Sequence, residues 1–286
     1  VKPTRPALSY FGSKWRLAPW IISHFPPHTC YVEPFCGSAS LFLRKPPAEF
    51  EVINDIDGEV TNFFRVLRNK GDELIRAILA TPYSRAEFDE AWIPVEDTLE
   101  RARRYYIQAW QGWSGFGSPW RYQKRHHGGK SVINDWNAVE HLPAIIWRLK
   151  KAQIENADAL EIVERYDQPR TLFYIDPPYL PETRSKRWRH GGYRYEFDED
   201  CHQQLLARLQ EIQGMAIISG YPSELYERQL AHWRRVETRA RTTNTANLGT
   251  EVIWLSPSVN KRGQLLLIPS HIRAVRTFKS EEVPAL

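Results

Sequence analysis

Cysteine is scarce in this chain, with only Cys30, Cys36 and Cys201 and no C-x-x-C pair among them. An odd count without pairing intervals argues against a disulfide framework and favours a reducing interior. Metal-ligand spacing is missing too. His126 and His127 are adjacent and lie among Lys124, Arg125 and Lys130 rather than at the intervals zinc requires, so no metal is expected. No apolar run approaches the roughly 20 residues of a spanning helix. Val1 to Ser9 lacks a charged-then-apolar signal layout. A soluble, cytoplasmic protein is the expectation.

What is present is enough apolar material for one sizeable core, 42% of 286 residues. Lys and Arg number 39 against 34 Asp and Glu, giving a net charge of +5 that favours a polyanionic partner. Short β-rich runs at Tyr31 to Phe35, Glu51 to Ile56, Thr171 to Asp176, Met215 to Gly220 and Glu251 to Ser256 alternate with helical periodicity. That periodicity covers Ala39 to Arg44, Glu59 to Asn69, Asp72 to Ala80, Thr98 to Gln111, Val139 to Lys150, Asp200 to Gln213 and Ser223 to His232. Alternation of this kind predicts an α/β fold. The stretch 84–136 breaks the rhythm, and from Trp113 to Asn134 it is rich in glycine, aromatics and basic residues without a single acid. It is expected to be an inserted, mainly helical module between catalytic segments 1–83 and 137–270, with 271–286 as a C-terminal tail.

Asp176-Pro177-Pro178-Tyr179 directly follows the apolar run Leu172 to Ile175. Ligands of open α/β sheets sit at the carboxyl ends of strands, so this tetrapeptide lies where a site belongs. An amino group on a purine ring is a poor nucleophile because its lone pair is delocalised. Two acceptors on its two N–H bonds return electron density to nitrogen. Asp176 supplies a carboxylate and Pro177 a carbonyl, held still because successive prolines restrict the backbone. Tyr179 offers a ring on which an extruded base can stack, worth about 1–3 kcal/mol. That offsets much of the cost of flipping the base.

Upstream, Tyr31 to Ser40 reads as a strand, a small-residue loop and a helix start, where the backbone can approach a ligand closely and free N–H groups can face its polar end. Asp55 ends the next strand about twenty residues on, where an acid accepts ribose hydroxyls; the lesser alternative is a cap for the helix beginning near Gly58. Tyr10-Phe11-Gly12-Ser13-Lys14-Trp15 is a pre-helical loop in which Tyr10 can cover a cofactor. Lys14 can steady Asp176 or bind phosphate.

In this order the blocks resemble the Dam-like group of adenine-specific DNA methyltransferases, from about Ala7 to Ser256. The resemblance implies a Rossmann-like methyltransferase fold with a mostly parallel sheet. It also implies S-adenosylmethionine as methyl donor and an adenine N6 amino group in double-stranded DNA as acceptor. Cofactor contact is implied for Tyr10, Lys14, Glu33, Phe35, Gly37, Ser38, Asp55 and Asp176, and for Asp158 in the Asn156-Ala157-Asp158 block. Ala39 stands where the family pattern has its last glycine. The inserted module corresponds to the target-recognition region. Trp113-Ser114-Gly115-Phe116-Gly117 is similar to its hairpin-like turn, making Trp113, Ser114 and Phe116 candidates for DNA contact, with Arg121, Lys124 and Arg125 beside them.

After the catalytic tetrapeptide, the basic, aromatic stretch from Arg184 to Tyr195 points to phosphate contact by Arg184, Lys186, Arg187, Arg189 and Arg194, in a loop expected to order on DNA. Each cysteine follows Thr, Phe or Asp, which removes the Pro-Cys nucleophile of cytosine carbon-5 methylation. Methylation of cytosine N4, RNA adenine or protein glutamine stays open, as does a catalytically silent DNA-binding relative. A monomer or weak homodimer is expected.

Overall fold

The computed structural model describes residues 2–113, 118–123, 131–184, 193–241 and 248–259. Seven strands form one sheet: β1 (Cys30–Glu33), β2 (Phe50–Asn54), β3 (Gln153–Glu155), β4 (Thr171–Ile175), β5 (Met215–Gly220), β6 (Arg234–Arg241) and β7 (Leu248–Leu255). Their order is β3-β2-β1-β4-β5-β7-β6. The first five pair in parallel, whereas β7 runs antiparallel between β5 and β6. After β1 the chain moves outward through β2 and β3; after β4 it moves the other way. The reversal between β1 and β4 opens a crevice at their carboxyl ends.

Side-chain alternation explains the layering. Leu172 and Tyr174 of β4, Met215 and Ile217 of β5 and Ile253 and Leu255 of β7 belong to one buried cluster. Phe173, Ile175, Ala216, Ile218, Val252 and Trp254, the residues between, belong to the other. A strand apolar on both faces needs cover on both. On the first face lie α1 (Ala18–Ile22), α2 (Ser40–Arg44), α3 (Gly58–Asn69), α4 (Gly71–Leu79), α5 (Arg85–Glu90), α6 (Thr98–Gln111), α7 (Val132–Asn137) and α8 (Leu142–Leu149). On the second lie α9 (Ala159–Tyr166), α10 (Glu199–Glu211) and α11 (Glu224–Gln229). Each buried Leu, Ile or Phe contributes about 1.5–3 kcal/mol of transfer free energy to this sandwich.

Between residues 84 and 136 the described residues hold α5, α6 and α7 and no strand, only an isolated antiparallel bridge from Gly112 to Trp120. Tyr105, Tyr106 and Ile107 of α6 enter the first-face core, and Tyr106 stacks on Phe63 of α3 at 6.2 Å. The strands β3 and β6 and the helix α9 were not expected from the sequence, whereas α1 follows the pre-helical loop and α5 and α7 fall in the stretch expected to be mainly helical. β3 has one apolar residue in three, and β6 carries its charges on an exposed outer edge, so neither shows a buried strand's signature. The tail 271–286 lies outside the described residues. Among the described residues no helix is long and apolar enough to cross a membrane.

Candidate active site

Asp176 stands one residue past β4, half-buried at the mouth of a cavity of about 250 Å³ in the β1/β4 crevice. Its Oδ1 accepts from Ser219 Oγ of β5 at 2.8 Å and pairs with Lys14 Nζ at 3.0 Å. Tyr174 O–H in turn donates to Ser219 at 2.8 Å, because the serine proton is committed to Asp176. Lys14 therefore steadies the carboxylate, one of the two roles its position allowed. It also lies 3.7 Å from Glu251 of β7 and donates to the Gly12 carbonyl at 3.0 Å. Burial pulls the ammonium's pKa down, but the carboxylates of Asp176 and Glu251 outweigh it and hold Lys14 above its ordinary value, fully charged.

The rest of the tetrapeptide is held from behind. Tyr179 O–H donates to Glu251, and Lys14 Nζ lies 4.7 Å from the centre of its ring. The Pro178 carbonyl accepts from His202 Nε2 at 3.0 Å, and the Tyr179 carbonyl from Arg184 Nε. No described residue donates to the Pro177 carbonyl.

The small-residue loop lies across the crevice. Gly37 has φ of +46°, and a Cβ there would meet the Tyr10 ring at 2.8 Å, so only glycine lets Tyr10 close down on the loop. Ala39 takes a left-handed φ of 50° despite its methyl group, at a cost of about 1 kcal/mol or more. Its fully buried side chain and the Ala39 N–H bond to the Cys36 carbonyl at 2.6 Å hold it there. Having no side-chain cap, α2 receives one from β1: Glu33 Oε1 accepts the Phe42 N–H at 2.6 Å and the Tyr31 O–H at 2.7 Å. Burial pushes Glu33 up to about 7 against those two bonds. Ser38, Ser13 and Ser40 form a triangle of hydroxyls 2.8 to 3.0 Å apart, tying the Tyr10 to Trp15 loop to the α2 start.

Asp55 accepts the Gly37 N–H at 2.8 Å and the Asp57 N–H at 3.0 Å. Capping of α3 falls instead to Asp57, which accepts from Glu59 N. Burial pushes Asp55 up to about 6 although both N–H bonds favour its charge. Asn54 was missed by sequence: its amide donates to the carbonyls of Pro34 at 2.8 Å and Ala157 at 3.0 Å and so fixes the Asn156 to Asp158 block. Asp158 caps α9 through Leu160 N and faces the cavity with its side.

Tyr10, Lys14, Glu33, Phe35, Gly37, Ser38, Asp55, Asp158, Asp176 and Pro178 thus line one cavity. Pro177 and Tyr179 are not among its lining residues. Carboxylates dominate its wall, and its two cations are both paired, Lys14 with Asp176 and Arg194 with Asp57 at 3.0 Å. Such a lining suits a ligand with cationic groups and hydroxyls. Phe35 meets Phe197 edge-on at 5.4 Å, adding an apolar wall for a flat ring.

The expected DNA contacts are less gathered. Trp113 is exposed beside the Gly112–Trp120 bridge, and Arg121 lies 3.4 Å from Asp135. Arg184, expected at phosphate, is buried with a bidentate pair to Glu196, and Arg194 is turned inward to Asp57. Ser114, Phe116, Lys124, Arg125, Lys186, Arg187 and Arg189 lie outside the described residues, as does most of the loop expected to order on DNA. Part of the aromatic patch is core: Trp136 is buried, and Trp120 packs on Tyr83 at 5.6 Å. Among the described residues no group of His, Cys, Asp and Glu is arranged to hold a metal.

Residues 10–239 match the family described as D12 class N6 adenine-specific DNA methyltransferase. The chain belongs to this family. It is a DNA adenine methyltransferase, as the ordered blocks implied. It is 23% identical to the DNA adenine methylase of Serratia marcescens, over 87% of this chain and 95% of that protein. A type II methyltransferase of Lactococcus lactis subsp. cremoris is 26% identical, over 70% and 77%. The DNA adenine methylase of Salmonella typhimurium is 30% identical, over 63% and 67%.

Proposed function

We propose that this enzyme takes its methyl group from S-adenosylmethionine and delivers it to the N6 amino group of an adenine flipped out of double-stranded DNA. The observation that carries the mechanism is the pairing of an anchored Asp176 carboxylate with a neighbouring Pro177 carbonyl to which no described residue donates. Two acceptors so placed receive the two N–H bonds of an exocyclic amine and localise its lone pair. Lys14 fixes the direction of the Asp176 carboxylate, and Ser219 holds the oxygen it reaches. After transfer, the carboxylate is the nearest base for the proton that nitrogen sheds.

When bound, the donor supplies an electrophilic methyl on a sulfonium centre. The acid-rich wall suits its positive charge, with Asp55 assigned to the ribose hydroxyls and Glu33 and Asp158 to the amino end. Phe35, Tyr10 and Phe197 would flank its adenine. Residues 84–136 serve as the target-recognition module, with Trp113, Ser114 and Phe116 contacting DNA and Arg121, Lys124 and Arg125 at bases or phosphates. Lys186, Arg187 and Arg189 neutralise phosphates. Arg184 and Arg194 would join them only by leaving Glu196 and Asp57. A monomer can serve both strands of a palindrome in two visits, in the cytoplasm where the DNA lies.

Incubating the protein with methyl-labelled S-adenosylmethionine and mixed-sequence duplex DNA is expected to yield labelled N6-methyladenine on digestion. Label in cytosine, RNA or protein alone would sink the proposal. A second test concerns the cofactor end. An ionised Asp55 accepts ribose hydroxyls more strongly than the protonated acid, which gives one acceptor site to its own proton, and burial pushes this group up to about 6. Protonation must therefore weaken binding, so affinity for S-adenosylmethionine should fall by up to about tenfold per pH unit below that value. Calorimetry across the range should show this slope in the wild type and its loss in Asp55→Asn; a wild-type affinity flat through the acid range would remove the ribose role.

A further inference from the structure

Two successive prolines leave the tetrapeptide without backbone donors at its centre, because neither Pro177 nor Pro178 has an N–H. The turn can be pinned only through carbonyls and flanking side chains. Asp176 and Tyr179 are held by Lys14, Ser219 and Glu251, and the central bond that remains is the one to the Pro178 carbonyl. Its donor is His202, fully buried in the first turn of α10.

We propose that His202 is a positioning residue for methyl transfer, fixing the turn that presents Asp176 and the Pro177 carbonyl and coupling it to the cofactor wall. A carbonyl only accepts, so Nε2 carries the proton, and Nδ1 accepts from Tyr226 O–H of α11 at 2.9 Å. Burial pushes His202 down to about 4, which keeps this neutral tautomer in place at neutral pH. The imidazole also meets Phe197 edge-on at 4.8 Å, and Phe197 meets Phe35 on the cofactor side. One ring thus touches the catalytic turn, a second helix and the cavity wall. Leu205, Leu206 and Leu209 seat α10 in the second-face core, so the donor stands on a rigid support.

This inference rests on the methyltransferase mechanism proposed above, and the experiment separates the two. Single-turnover methyl transfer to DNA, cofactor affinity and melting temperature are measured for the wild type, His202→Leu, His202→Gln and Tyr226→Phe. A displacement of about 1 Å at the reacting groups costs about a hundredfold in rate. His202→Leu should lose rate on that order while binding cofactor within a few-fold of wild type. His202→Gln, whose amide can donate to the same carbonyl, should recover most of it, and Tyr226→Phe should lose a few-fold. Wild-type rates in His202→Leu, or a glutamine variant as slow as leucine, overturn the inference. If His202→Leu does not fold, the other two decide: a fast glutamine variant with a slowed phenylalanine variant supports it, and any other combination overturns it. A wild type that transfers no methyl to DNA adenine refutes the mechanism itself.

Discussion

Asp176→Ala is expected to lower methyl transfer by about a hundredfold to a thousandfold, the loss seen when one fixed partner of the reacting group is removed. The variant should fold and still bind DNA. Lys14 loses a partner at 3.0 Å but keeps Glu251 at 3.7 Å, so its buried ammonium is not stranded. Removing one of the carboxylates around it also relieves repulsion with Glu251, whose pKa burial and, to a lesser degree, the nearby Asp176 charge both raise. Asp176→Asn retains an acceptor oxygen but not the charge, and should fall between alanine and wild type. Labelled-methyl incorporation beside a gel-shift titration separates chemistry from binding; substantial transfer by the alanine variant would end the case for this carboxylate.

Glu51→Gln should cost about 3–5 kcal/mol of folding stability, the range for breaking a buried ion pair from one side. Glu51, the second residue of β2, is 1% exposed, with Lys45 Nζ on its Oε1 at 2.5 Å and Arg148 of α8 bridging both oxygens. The substitution leaves two buried cations facing a neutral amide. Burial alone would raise the Glu51 pKa, but hydrogen bonds from Arg148 and Lys45 outweigh it and hold the group below its ordinary value. A depressed acid stabilises the fold above its unfolded pKa of about 4.3 and loses that contribution as pH falls further. Urea titration at neutral pH should show the midpoint drop in Glu51→Gln, with the gap to wild type narrowing in acid. A midpoint within experimental scatter of wild type would show that the three charges balance no better together than apart. Because Glu51 lies at the amino end of its strand, away from Asp176, activity at low temperature should persist.

Much of this site was legible because its residues follow chain-local rules. Asp176 and Asp55 end apolar strands, and Gly37 sits in a loop between a strand and a helix. What escaped is tertiary. Ser219 looks like one polar residue inside an apolar strand, and Glu251 like the polar start of another. His202 falls in helical register with Leu205, Leu206 and Leu209, a spacing that marks it as inward-facing but not what it meets. Asp55 could be read from sequence as a cap for α3, but the fold gives that bond to Asp57, two residues on, and turns Asp55 to the Gly37 N–H. Arg184 and Arg194 show the converse: basic residues near the site invited a phosphate role, yet carboxylates nearby in the fold engage both.

The margins of the sheet carry a further implication. On one side β3 is only three residues long, and on the other β6 presents exposed Arg234, Arg235, Glu237 and Arg239 along its outer flank. Brevity on one side and a fringe of charged side chains on the other both discourage strand addition by another molecule. Copies crowded onto one duplex are therefore less prone to zip together along these edges, and high occupancy of DNA need not invite aggregation.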